Sequence, residues 1–119
     1  MTSMKISYGK NVYNTNEIKS VVKTLKKSTQ MGAAVRKFED KISSISGKKY
    51  GLMVNSGSSA LILALKVLDL PKSSEVITPC LNFGTALSSI ILSDLKPILV
   101  DCDKETLQID TNKLEKKIT

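Results

Sequence analysis

The 119 residues contain no histidine and no tryptophan. Without an imidazole, neither a Ser-His-Asp nor a Cys-His catalytic arrangement can be assembled from this chain. Cysteine is almost as scarce. Cys80 and Cys102 form no CxxC pattern and have no histidine to join them, so neither a zinc site nor a redox pair is indicated, and two buried or half-buried thiols are expected. No apolar run approaches the roughly 18 residues of a membrane-spanning helix. Met1–Lys10 also lacks the apolar stretch of a signal peptide. These absences give the expectation of a cytoplasmic protein with no metal and no membrane partner.

Aromatic residues make up only 4% of the chain, with two phenylalanines and three tyrosines. This matters for the positive charge. Residues 1–50 carry eleven Lys/Arg against three acids, while residues 51–119 carry seven against eight, so the net charge of +7 belongs to the first half. A basic half can signal nucleic acid. Here the lysines fall on the polar sides of helical patterns with few aromatics among them, which points instead to solvated faces or a surface that meets another subunit. A positive field also favours anionic small molecules.

What the chain does have is 41% hydrophobic content, enough for a core. Asn14 and Glu17 stand at the spacing of a capping box, followed by Ile18, Val21, Val22 and Leu25 at helical intervals. This predicts a helix ending near Ser28. After a break at Ser28–Gly32, Val35, Phe38, Ile42 and Ile45 predict a second helix that stops at Gly47. The texture then changes. Tyr50–Val54 reads as a strand, Asn55–Ser59 as a loop and Ala60–Leu68 as a helix. Glu75–Thr78 and Ile98–Val100 read as strands flanking a helix over Phe83–Leu92, and a polar turn at Asp103–Gln108 leads to a further helix over Thr111–Ile118. Short strands alternating with helices predict an α/β class with helices on a mostly parallel sheet. Two segments are expected: residues 1–48, helical, and residues 49–119, an incomplete α/β domain. Stopping just after a helix begins would leave a strand edge open, so a fragment is expected.

In open α/β sheets, ligands bind beyond the carboxyl ends of the strands. Two loops qualify. In Asn55-Ser56-Gly57-Ser58-Ser59, Gly57 permits close backbone approach, and the amides and hydroxyls of Ser58 and Ser59 can hold a dianionic phosphate at a helix N-terminus. Equally, Ser58 or Ser59 can simply cap the helix. In Pro79–Thr85, Phe83 can stack on a planar ring or pack into the core as the first turn of its helix. Asp101, at the end of the third expected strand, is read as a turn or cap residue. A dinucleotide fingerprint is not present, since the first loop has one glycine where GxGxxG needs three.

The order Met31-Gly32-x-x-Val35-x-x-Phe38-Glu39, Gly47-Lys48-Lys49-Tyr50 and Asn55-Ser56-Gly57-Ser58-Ser59-Ala60-Leu61 resembles the DegT/DnrJ/EryC1/StrS family of pyridoxal-phosphate (PLP) sugar aminotransferases. Glu75-Val76-Ile77-Thr78-Pro79, Phe83, Pro97, Val100-Asp101 and Leu107-x-Ile109-Asp110 continue the match, which runs from about Ile6 to Thr119. The resemblance implies the large PLP-binding domain of aspartate-aminotransferase type (fold type I), found in homodimers whose active sites form at the subunit interface. It further implies that Ser58 and Ser59 bind the cofactor phosphate, that Gly57 allows the approach, and that Phe83 stacks on the pyridine ring. Phe38 and Glu39 also match the pattern and are assigned to helix packing and a structural salt bridge.

The implied reaction moves an amino group, usually from glutamate, to a keto nucleotide sugar. It relies on a lysine that forms a Schiff base with PLP. No lysine here stands at that position, which lies beyond residue 119, so no catalytic residue is assigned and the chain alone is expected to be inactive. Gly57-Ser58-Ser59 and Pro79-x-Leu81-Asn82-Phe83-x-Thr85 also look similar to a subgroup of PLP-dependent nucleotide-sugar 3-dehydratases, in which histidine replaces the lysine. Gly84 and Leu61 depart from the proline and asparagine common at those places. Aminotransfer is the first expectation, dehydration the second, and a non-catalytic binding or assembly module the third. The sugar, its nucleotide and the pathway are not encoded in these residues. The family suggests polysaccharide or natural-product synthesis.

Overall fold

The computed structural model describes residues 6–27, 29–30 and 32–119. Ser28 and Met31, part of the expected break and of the family motif, lie outside the described residues. The chain divides into two compact units, Met1–Met53 and Val54–Thr119.

The first unit holds two helices of equal length. Helix α1, Thr15–Lys27, begins as its capping box requires. The Asn14 amide donates to Glu17 Oε2 at 2.7 Å and the Asn16 amide to Asn14 Oδ1 at 2.9 Å. The Asn14 amide, first, and Glu17's own backbone amide hold the Glu17 carboxyl below its ordinary pKa. Helix α2, Ala33–Ile45, ends at Gly47, which adopts φ +63°. The reversal lets the Lys48 amide reach Ser43 O at 2.8 Å, satisfying a carbonyl the helix cannot pair itself.

The expected first strand does not form. Residues 50–54 are neither helix nor strand and pair with no strand among the described residues. The sheet therefore has two strands rather than three. A strand is defined by its partner, and an apolar run in the sequence does not say where that partner is.

The second unit opens with α3, Gly57–Val67. Strand β1, Glu75–Pro79, runs parallel to β2, Lys96–Val100, with Ile77 opposite Ile98 and Pro79 opposite Val100. Between them α4, Gly84–Ile91, packs on both strands and on α3. The core lies here. Ile90, Leu95 and Val100 are the buried hydrophobic residues, joined by Thr78 and Ser89. Ser89 is accommodated because its hydroxyl donates to Ala86 O at 3.0 Å. Glu75 and Lys96, opposite each other in the ladder, close an ion pair at 2.8 Å on the exposed side.

Beyond β2 the chain forms a tight reversal closed by an antiparallel bridge between Cys102 and Ile109. Asp103 organises the turn. Its Oδ1 accepts from the Glu105 amide, the Thr106 amide and the Thr106 hydroxyl, while Leu107 takes φ +57°. The expected terminal helix is only one turn of α-helix, α5 at Thr111–Leu114, followed by a 3-10 turn at Glu115–Lys117. So short a helix depends on packing, and Leu114, its one apolar side chain, is only half-buried. Of the two thiols, Cys102 is half-buried but Cys80 is exposed, because it lies past the end of β1 where the chain turns outward.

Candidate functional site

The two parallel strands place their following loops at one end of the sheet, the geometry in which α/β folds gather ligand-binding residues. Residues 80–83 follow β1 and Asp101 follows β2. The Cys80 amide donates to Val100 O at 2.8 Å, extending the ladder by one bond before the chains separate.

Asp101 is fully engaged in structure, as expected of a turn residue. Its Oδ1 accepts from the Cys102 amide at 2.9 Å and its Oδ2 pairs with Lys113 Nζ at 3.2 Å. The Lys113 ammonium, first, and the Cys102 amide hold the Asp101 carboxyl below the usual aspartate range. The same bond, first among its causes, raises Lys113.

Phe83 is the residue preceding α4, at the N-cap position with φ −67° and ψ 135°. Its ring is 70% exposed, so the alternative of core packing is not what the structure shows. The backbone, by contrast, is held. The Phe83 amide donates to Asn82 Oδ1 at 2.7 Å, and the Ala86 amide closes the first turn on Phe83 O at 3.0 Å. A fixed backbone carrying an exposed aromatic face is suited to stacking on a flat ligand.

At the start of α3 the cap is Ser56, rather than Ser58 or Ser59. Ser56 is extended, its Oγ accepts the Ser59 amide at 3.1 Å, and its hydroxyl donates to Ser59 Oγ at 3.0 Å. Three consequences follow for an anion. The Ser59 amide is already used, so what Ser59 offers is its hydroxyl proton. The amides of Gly57 and Ser58 lie in the first turn, where no intrahelical acceptor exists. The turn carries no acidic residue, and the space where a Cβ of Gly57 would stand is open to 4 Å. A neutral, donor-rich helix N-terminus with an open approach has the chemistry a phosphate requires. Ser58 and Ser59 are both half-buried there.

Sequence reasoning missed the role of Glu39. No ion pair involves it among the described residues. Its Oε1 instead accepts the Met53 amide at 2.7 Å. The signal was the Phe38-Glu39 pair itself, but nothing local told which backbone group, 14 residues on, it would reach. Among the described residues no cluster of three or more His, Cys, Asp or Glu could hold a metal ion, and no helix is long and apolar enough to cross a membrane.

Comparison with known proteins places this geometry. The solved structure of E. coli GDP-4-keto-6-deoxy-D-mannose-3-dehydratase with bound hydrated PLP is matched with a TM-score of 0.86 at 29% identity, over 92% of this chain and 30% of that one. The fold is thus the α/β fold of the fold-type I PLP enzymes. The sequence profile of the DegT/DnrJ/EryC1/StrS aminotransferase family matches residues 12–119, and the chain belongs to that family. Among curated relatives, the spore coat polysaccharide biosynthesis protein SpsC of Bacillus subtilis is 35% identical over 115 residues, 96% of this chain and 30% of that protein. GDP-perosamine synthase of Escherichia coli O157:H7 is 36% identical over 88 residues, 74% of this chain and 24% of that protein. The chain thus spans less than a third of the length of the relatives it matches.

Proposed function

We propose that the protein is a PLP-dependent enzyme that transfers an amino group, from glutamate, to a keto nucleotide sugar, acting as a cytoplasmic homodimer. The observation that carries this reading is the N-terminus of α3. It offers two amides, two serine hydroxyls and no acid, in a chain of a family whose structural relatives hold PLP. PLP, when bound, supplies an electron sink through which nitrogen passes from donor to acceptor.

The residues present fit the cofactor. Ser58 and Ser59, with the Gly57 amide, would hold its phosphate. The helix end favours the dianion and Gly57 leaves the approach clear. Phe83 would cover one face of the ring, excluding water there and fixing the ring plane. The Asn82 side chain keeps Phe83 in place through its amide. In this account the chain supplies binding and orientation. None of these residues is assigned the role of accepting and returning protons, so on this reading the 119 residues alone do not transaminate. The two segments of the proposal are the helical residues 1–48 and the incomplete PLP-binding domain of residues 49–119.

A second reading, removal of a sugar hydroxyl, is favoured by the match to the 3-dehydratase and by Gly57-Ser58-Ser59. One experiment separates the two. The complete enzyme is incubated with PLP, glutamate and a GDP- or dTDP-linked 4-keto-6-deoxy sugar, and the product is weighed by mass spectrometry. Gain of an amino group in place of the keto oxygen supports aminotransfer. Loss of a hydroxyl supports dehydration, and an unchanged sugar with every such acceptor counts against both.

A further inference from the structure

We infer that Glu39 is a positioning residue for the phosphate-binding loop, acting through the run Gly51–Met53 that leads into it. The inference rests on the reading of Ser58 and Ser59 as phosphate donors.

Two independent contacts meet at Glu39. The Met53 amide donates to its carboxylate at 2.7 Å, a charge-assisted bond in the short range for such pairs. The backbone of Gly51 abuts the backbone of the same residue, so closely that a Cβ on Gly51 would come within 2.7 Å of Glu39 O. Only glycine lets α2 and this run approach this far. Phe38, Ile42, Leu52 and Met53 line a small open cleft of about 60 Å³ beside the contact.

Residues 50–54 pair with no strand among the described residues, and Glu39, half-buried on α2, supplies the acceptor for the Met53 amide. Only Val54 and Asn55 separate Met53 from Ser56, the cap on which the donor geometry of α3 depends. Binding donors must be held to within a fraction of an ångström to act together, so slack at Met53 is felt at the loop as lost phosphate affinity.

The test compares two ligands on the complete apoenzyme: PLP and pyridoxal, which carries the same ring and aldehyde without the phosphate. Dissociation constants are measured by fluorescence titration, and their ratio reports the phosphate grip alone. Glu39→Ala is expected to weaken PLP about tenfold, the size expected from loss of one hydrogen bond to a charged group, and to leave pyridoxal unchanged. Glu39→Gln, whose amide oxygen can accept the same N–H, should restore most of the ratio. Glu39→Asp withdraws the carboxylate by one methylene and should lower the ratio in the same direction. It serves if the alanine variant does not fold. Equal weakening of both ligands, or an unchanged ratio in the Ala and Asp variants, overturns the role. The double variant Ser58→Ala/Ser59→Ala is run beside them. If it lowers the ratio and the Glu39 variants do not, the role of Glu39 alone fails. If it too leaves the ratio unchanged, the phosphate reading itself fails.

Discussion

Ser56 and Ser59 are joined twice: the Ser59 amide donates to Ser56 Oγ at 3.1 Å, and the Ser56 hydroxyl donates to Ser59 Oγ at 3.0 Å. The first bond caps α3. The second occupies a lone pair of Ser59 and leaves its own proton to be offered outward.

This pairing predicts that cap and anion site can be separated. Ser56→Ala should destabilise the protein by about 1 kcal/mol through loss of the cap, read from urea unfolding. Ser56→Asp keeps a good cap and should retain most of that stability. It should also weaken phosphate binding, because it sets a negative charge beside the dianion. Equal phosphate affinity in the Asp variant and the wild type would contradict the placement.

Phe83 gives a second separation. Its ring is 70% exposed, so Phe83→Ala should change stability by no more than about 0.5 kcal/mol, as for most surface substitutions. An offset-stacked aromatic contributes about 0.5–1.5 kcal/mol, so retention of PLP through desalting should fall several-fold. Calorimetry and the residual cofactor content together check the pair of outcomes.

Gly47 predicts a purely structural effect. At φ +63° an alanine meets the steric cost of the left-handed region, about 1 kcal/mol or somewhat more. Gly47→Ala should therefore lower the unfolding midpoint, and Gly47→Asn should lower it less. Cofactor affinity serves as the control and should not move.

The Asp101–Lys113 contact predicts a pH dependence at both extremes. The Asp101 pKa is depressed in the fold, chiefly by Lys113, so the stability it confers is present above the unfolded aspartate pKa and is lost as pH falls through the lower folded value. Lys113 is raised, chiefly by Asp101, so its share is present below the unfolded lysine pKa and is lost as pH rises through the higher folded value. At neutral pH both shares are intact. In Lys113→Met the Asp101 carboxyl should titrate closer to ordinary aspartate, which NMR titration of its side-chain carbon would show. An unchanged midpoint would mean that the ion pair does not form in solution.

Local chemistry was the legible part of the sequence. Asn14 and Glu17 announced the start of α1, and Gly47 announced the end of α2, because capping and reversal are settled within a few residues. Strand β2 was read two residues short, from Ile98, and its start at Lys96 takes in Pro97. The Lys96 amide already donates to Ser74 O at 3.0 Å. In a parallel ladder alternate residues face the neighbour, so the nitrogen of Pro97 points away from β1 and costs no bond. The unpaired run 50–54 and the Glu39–Met53 bond were not legible, since both depend on partners distant in sequence. At the candidate site, Gly57, Ser58, Ser59 and Phe83 were singled out in advance. The identity of the cap was not, because three serines and a glycine within residues 56–59 allow several registers and only the backbone selects Ser56.

The central claim is that the N-terminus of α3 holds a phosphate dianion. Phosphorus-31 NMR of PLP bound to the complete enzyme tests it most directly, with the pH varied through about 6, where a free phosphate monoester takes up its second proton. The account predicts a bound resonance that stays at the dianion position across that range. A bound resonance that titrates like free PLP would contradict it.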